Sequence, residues 1–288
     1  MTGSMPVTLL LSIAYAVLLI GRFLLRGRDE RPGKQEEDAR IGIYQIMGSR
    51  QLQSDAAQAW SNRAGIMAVI ADGIGRANTG RVCAQIAADT ILDRFEPYQK
   101  LNDPAYFFRS VFFEANKRIQ QTIGERRGGA STGAAFLGGG YLYYAVAGDI
   151  RIAIVRGQEL IPLSRGQTMD VLAVRAYEEG KISRQDAVWS MEEKRLWNYL
   201  GQDGFHEIEI CEKPILLKEG DKVLLVSKGI FEELSYREME DILIDCASSK
   251  ELAERLARAA EKKDSPQKDN GSVILIQQDG GLHEKKQF

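Results

Sequence analysis

Short apolar runs broken by glycine alternate in blocks with two longer stretches whose apolar residues recur at helical spacing. From Ile41 to Ile46 apolar and polar positions alternate as in a half-buried strand, and Ala56 to Trp60 opens a second strand. Gly65 to Gly75 is a continuous apolar run that ends in Asp72-Gly73, the form of a strand buried on both faces that carries a carboxylate to its end. Asp-Gly is also an ordinary strand-ending turn, so this pair alone does not distinguish the two readings. Val82, Ile86, Ala87 and Ile91 predict an amphipathic helix over Gly80 to Phe95, and Phe107, Val111, Phe112, Ala115 and Ile119 predict another over Pro104 to Ile123.

Gly128 to Leu163 changes character. Its runs Thr132 to Leu137, Tyr141 to Ala147, Arg151 to Val155 and Leu160 to Leu163 are separated by glycines, which predicts an antiparallel meander. Gly138-Gly139-Gly140 lacks a following Gly-Lys-Ser/Thr and leads into a strand pattern, so it is not a nucleotide-phosphate loop. Met169 to Gly201 reads as helical with a solvated charged face. Lys222 to Val226 reads as a buried strand ending in Ser227-Lys228-Gly229. Tyr236 to Cys246 and Glu251 to Ala260 predict a closing helical pair, and Ser272 to Gln277 a last strand just after Asp269-Asn270. Strands and helices are grouped rather than strictly alternating, which predicts an α+β fold.

The N-terminus stands apart. Met5 to Leu25 is mostly apolar with a single charge, Arg22, and about 20 such residues suffice to cross a bilayer. Arg26, Arg28, Arg31 and Lys34 follow it and no Lys or Arg precedes it, so the positive-inside rule predicts a single-pass anchor with the C-terminal domain cytoplasmic. The expected organisation is an anchor over 5–25, a charged juxtamembrane linker over 26–40, the folded domain over 41–278 and a polar tail over 279–288. A net charge of −2 over 288 residues, without a basic stripe interleaved with aromatics, gives no drive toward nucleic acid. The cysteines Cys83, Cys211 and Cys246 are widely spaced and odd in number, which supports neither a disulfide framework nor a thiolate zinc site.

Three strand or turn ends carry an aspartate, at Asp72, Asp149 and Asp269, with Asp55 a fourth candidate. Carboxylates brought together repel one another, and Mg²⁺ or Mn²⁺ with oxygen ligands relieves that repulsion. His206 and His283 are the only histidines, too few for a histidine-rich zinc site and poor material for a Ser-His-Asp triad.

The order of motifs resembles the metal-dependent protein phosphatases of the type 2C family over Ile41 to Gln277. The matching pieces are Arg50 before Asp55, Asp72-Gly73-Ile74-Gly75, Gly129-Ala130-Ser131-Thr132, Gly148-Asp149-Ile150-Arg151, Glu179-Gly180-Lys181-Ile182, Leu200-Gly201, Gly220-Asp221 with the strand after it, and Asp269-Asn270. The resemblance implies a sandwich of two antiparallel β-sheets flanked by helical pairs, with a metal cleft at one end. It implies that Arg50 holds the substrate phosphate, a role suited to the planar guanidinium fork. It also implies that Asp72 bridges two Mg²⁺ or Mn²⁺ ions, that the Gly73 carbonyl and Asp269 each bind one, and that Asp149 serves an accessory ion. A metal-bridged water would then attack phosphorus in line.

One departure bears on that chemistry. The family has Ser-Asp-Gly, with the Asp a metal ligand, where this chain has Ser227-Lys228-Gly229; Ser54 also stands where many members have a Glu ligand. An ammonium at the ligand position repels a divalent ion and can neutralise Asp72, Asp149 and Asp269 in its place. The expectation is therefore a membrane-anchored, catalytically impaired pseudophosphatase that binds a phosphoprotein or regulates a Ser/Thr kinase or phosphatase partner. An active metal-dependent Ser/Thr phosphatase with a rearranged metal site is the alternative.

Overall fold

The computed structural model describes residues 38–76, 78–190 and 195–278. The expected membrane anchor over 5–25, most of the linker over 26–40 and the tail over 279–288 lie outside the described residues. Among the described residues, no helix is long and apolar enough to cross a membrane.

Two antiparallel sheets account for the strand pattern. One runs in the order β1 (Ile41–Ile46), β11 (Gly271–Gln277), β10 (Lys222–Val226), β6 (Arg151–Arg156), β7 (Glu159–Pro162). The other runs β2 (Ala56–Asn62), β3 (Gly65–Gly75), β4 (Gly128–Gly138), β5 (Tyr141–Ala147), β8 (Glu209–Ile210), with β9 (Ile215–Leu216) also paired to β5.

The alternation of side chains along β3 explains why its sequence is apolar without interruption. Ile66, Ala68 and Ile70 face the other sheet and pack with Val223, Leu225, Ile274 and Ile276. Met67, Val69 and Ala71 face outward, against Cys83, Ala87 and Ile91 of α1 (Thr79–Phe95) and Phe108 and Phe112 of α2 (Pro104–Ile123). Burying such a side chain on either face contributes roughly 1.5–3 kcal/mol, so neither face can turn polar. β10 is built the same way. Val223 and Leu225 point between the sheets, while Leu224 and Val226 pack with Met239 and Leu243 of α6 (Tyr236–Leu243) and Leu252 and Leu256 of α7 (Ser249–Glu261). The layers are helix, sheet, sheet, helix, the α+β sandwich the motifs implied.

By the same parity Asp72 continues the inter-sheet face of β3, and Ser227 that of β10. Each is the first polar group past the apolar filling, so the chemistry gathers where the space between the sheets opens.

Several local expectations need correction. The meander predicted over Gly128 to Leu163 holds only for β4 and β5. At Gly148-Asp149 the chain leaves that sheet, and β6 and β7 join the other. Among the described residues, the stretch predicted as helical over Met169 to Gly201 holds two short helices, α3 (Met169–Glu178) and α4 (Arg184–Ser190). The amides of Gly180 and Lys181 reach back to the Tyr177 and Ala176 carbonyls and close α3, and residues 195–201 then run irregularly, tied to Thr168 and Ala130 by isolated bridges. The helix expected to reach Cys246 stops at Leu243, and a single turn, α5 (Lys228–Phe231), follows β10 unannounced.

Candidate functional site

β3 delivers Asp72 and Gly73 to the open end of the sandwich, and the loop after β1 brings Arg50 to face them. That loop is pinned by backbone and side chain together. The Ser49 amide donates to the Lys268 carbonyl at 3.0 Å, and Asn270 accepts from the Ser54 amide at 2.9 Å while donating to the Met47 carbonyl at 2.9 Å. Asp149 comes from the crossover between β5 and β6, Lys228 from the turn after β10, and Asp269 from just before β11. All six residues singled out in the sequence, Arg50, Asp72, Gly73, Asp149, Lys228 and Asp269, line one cleft of about 830 Å³.

Two glycines allow the walls to approach. A Cβ on Gly73 would lie 2.3 Å from the Gly80 carbonyl oxygen and 2.6 Å from that of Ser54, and one on Gly229 would lie 2.2 Å from the Asn270 carbonyl oxygen. Backbone packs on backbone there, and no side chain fits.

The carboxylates are already paired with cations of the chain. Arg50 Nε donates to Asp269 Oδ1 at 3.0 Å, with the Arg50 side chain 57% exposed. Arg151 lies 2.7 Å from Asp149 Oδ1, and its guanidinium stacks 5.0 Å from the Phe231 ring centre. Lys228 is 40% exposed and leans toward Glu232 at 3.8 Å, without an ion pair to Asp72, Asp149 or Asp269. The expectation that Lys228 neutralises all three aspartates is thus corrected. Arginines serve Asp149 and Asp269, and Lys228 acts on Asp72 and Asp149 at longer range by lowering their pKa values. Burial, and then the charges of Asp55 and Asp269, hold the Asp72 carboxyl well above the usual carboxylate range despite Lys228. Burial likewise raises Asp149, against the pull of Arg151. Among the described residues, no three His, Cys, Asp or Glu side chains converge as a metal site.

Behind the cleft lies a network that sequence reasoning missed. Asp55 Oδ2 accepts from the hydroxyls of Ser227 and Ser272, each at 2.7 Å; Ser227 Oγ accepts from the Ser272 amide at 2.8 Å, and Gln45 donates to Ser272 Oγ at 3.0 Å. The buried Asp55, Ser227 and Ser272, with the exposed Gln45, join the first sheet to the start of β2. Burial pushes the Asp55 carboxyl up to about 6, opposed by the two serine hydroxyls. The signal in the sequence was slight: Ser227 and Ser272 each sit on the inter-sheet parity of an otherwise apolar strand. Arg195 and Tyr199 also line the cleft and carried no signal in the sequence, whereas Ser131 and Arg151 stood within the matching motifs without a role of their own.

No family model matches the chain. It is 25% identical over 250 residues to the protein phosphatase PhpP of Streptococcus pneumoniae, covering 82% of this chain and 96% of that protein. The serine/threonine phosphatase Stp1 of Staphylococcus aureus superposes with a TM-score of 0.71 at 18% identity, covering 86% of this chain and 97% of that one. The catalytic domain of the serine/threonine protein phosphatase PstP, solved in complex with two manganese ions, superposes with a TM-score of 0.65 at 20% identity, covering 82% of this chain and 96% of that one. In its ordered motifs and its sequence the chain is similar to the metal-dependent, type 2C serine/threonine protein phosphatases, and it shares the fold of the solved serine/threonine phosphatases.

Proposed function

We propose that this chain is a phosphatase-like binding module, a pseudophosphatase that holds a phosphorylated serine or threonine of a partner protein in the Arg50 cleft without turning it over efficiently. The observation that carries this reading is the occupation of the carboxylates. Asp269 and Asp149 are paired with Arg50 and Arg151, and Lys228 stands in the same cleft at a family ligand position. The donor set in this arrangement does not fit a pair of divalent ions, because an ammonium and two guanidinium groups already supply the positive charge. Phosphate is a better match. The Arg50–Asp269 pair is exposed, and such pairs are worth only about 0–1 kcal/mol, so a phosphate dianion can take the guanidinium from the carboxylate.

The second reading, an active enzyme with rearranged metals, has its own support. The charge of Asp269 raises both Asp55 and Asp72, and that of Asp55 raises Asp72 as well, a crowding that a bound cation relieves. The relatives' names, which say phosphatase, point the same way.

The apolar stretch from Met5 to Leu25 with its trailing arginines supports tethering to a membrane with the domain on the cytoplasmic side, where a Ser/Thr kinase or phosphatase would be the natural partner. Protection of the domain from external protease in sealed right-side-out vesicles is the expected result, and cleavage there would overturn that orientation.

The cleft itself is tested with the full-length protein and a fluorescent phosphothreonine peptide in chelator. Micromolar binding that weakens at least tenfold in Arg50→Ala is expected, with no more than trace hydrolysis of an aryl phosphate in excess Mn²⁺. Robust turnover that disappears in Asp72→Ala would sink the pseudophosphatase reading and leave the active enzyme.

A further inference from the structure

Beside the cleft, the last rung of the β3/β4 ladder pairs Gly75 with Gly128, so Arg76 and Arg127 leave its end side by side. Like charges opposed across a sheet destabilise it. Yet both arginines are exposed, and neither guanidinium has an ion-pair or hydrogen-bond partner among the described residues. Arg126 is held differently, donating to the Thr122 and Ile123 carbonyls at 2.9 and 3.0 Å at the end of α2. The three arginines line a cavity of about 520 Å³, together with Thr79 at the start of α1. No described acidic residue lines it, and the first turn of α1 contributes none. Ile74, Gly75 and Tyr199 line both this cavity and the Arg50 cleft, so one ligand can lie across the two.

We infer that this arginine pocket receives the carboxylate side chains of an acidic stretch next to the phosphorylated residue, and so selects phosphoproteins whose phosphosite lies among Asp and Glu. The inference rests on reading the cleft as a phosphoprotein site. Guanidinium forks match carboxylates two bonds at a time, and a concave, unneutralised cluster of them is a poor surface to leave in water without an anion to meet. Continuity with the cleft favours a peptide that spans both over a flat anionic membrane.

Fluorescence anisotropy on the full-length protein tests this with three peptides: a phosphothreonine in a neutral sequence, the same phosphothreonine flanked by Glu, and the Glu-flanked sequence without phosphate. One exposed guanidinium–carboxylate pair gives about threefold, so about tenfold tighter binding of the acidic phosphopeptide over the neutral one is expected. Arg76→Ala with Arg127→Ala should erase that preference and leave the neutral phosphopeptide unchanged. Arg126 is kept because it closes a helix. Equal affinity for the two phosphopeptides, or a preference that survives the double variant, would overturn the inference. Binding of the unphosphorylated acidic peptide that is lost in the double variant but indifferent to Arg50→Ala would uphold the pocket and remove the phosphate reading of the cleft. If the double variant instead releases the protein's domain from phosphatidylserine vesicles without altering any peptide affinity, the pocket is a lipid contact and the inference falls.

Discussion

The two walls of the cleft depart from the type 2C pattern to very different degrees. The β3 wall keeps Asp72-Gly73-Ile74-Gly75 intact, whereas the wall from β10 and β11 keeps Ser227 and Gly229 but carries Lys228 between them and ties Asp269 to Arg50. Backbone geometry explains what stayed. Gly73 and Gly229 sit where a Cβ would collide with carbonyl oxygens, and Ser227 holds the buried Asp55. Lys228 is under no such constraint, since its side chain reaches the solvent in the cleft. A site built this way can change its charge at one position without disturbing its fold.

The sharpest way to break the comparison is to restore the β10 wall. Lys228→Asp replaces a repulsive ammonium with a ligand. Two unit charges about 4 Å apart at an effective dielectric of about 20 interact by roughly 4 kcal/mol, and the change acts twice on a divalent ion. Even heavily discounted for exposure, Mn²⁺ affinity measured by calorimetry should rise at least about 100-fold. An unchanged affinity would show that the Arg50 and Arg151 pairs, not Lys228, exclude the metal. A second variant tests the constraint rather than the charge. Gly229→Ala places a Cβ 2.2 Å from the Asn270 carbonyl oxygen. It should cost about 3 kcal/mol or more in urea unfolding, since backbone atoms cannot yield as side chains do. Lys228→Ala, one position earlier, should change stability by less than about 0.5 kcal/mol.

The same contrast governs what the sequence disclosed. Periodicity placed β1, β3, β10, α1 and α2 because each buries a face whose spacing is set by a single geometry. The Asp-Gly, Gly-Asp and Asp-Asn ends placed Asp72, Gly73, Asp149 and Asp269, and the resemblance to the type 2C pattern placed Arg50 and Lys228. The stretch from Met169 to Gly201 misled because its two helices bury only Ala173 and Ala187 and its turns are made by backbone hydrogen bonds rather than by side-chain pattern. The partition of β5 and β6 between sheets is a long-range choice that no local run encodes. Pairings such as Arg151 with Asp149 depend on rotamers within the cleft, and Arg76 beside Arg127 becomes visible only once β3 and β4 are in register.

The remaining test concerns the network that both walls share. The Asp55 carboxyl, raised from 3.8 to about 6, binds its proton more tightly in the folded chain than in the unfolded one. Its contribution therefore favours the folded state below about pH 4 and is withdrawn as pH rises through 6, the reverse of a carboxylate stabilised by a cation. A shift of about two units corresponds to between about 2 and 3 kcal/mol. Asp55→Asn removes the titration and keeps an oxygen to accept from Ser227 and Ser272. The stability of the variant relative to the natural chain should thus climb by about 2 kcal/mol between pH 4 and pH 7, whatever fixed offset the amide introduces. Urea unfolding at both pH values measures that difference. A flat difference would mean that Asp55 is ionised throughout and that the serine hydroxyls alone offset its burial. In that case the β10 wall would be holding a charge in place, rather than a proton, and Ser227→Ala should then destabilise the chain more at pH 7 than at pH 4.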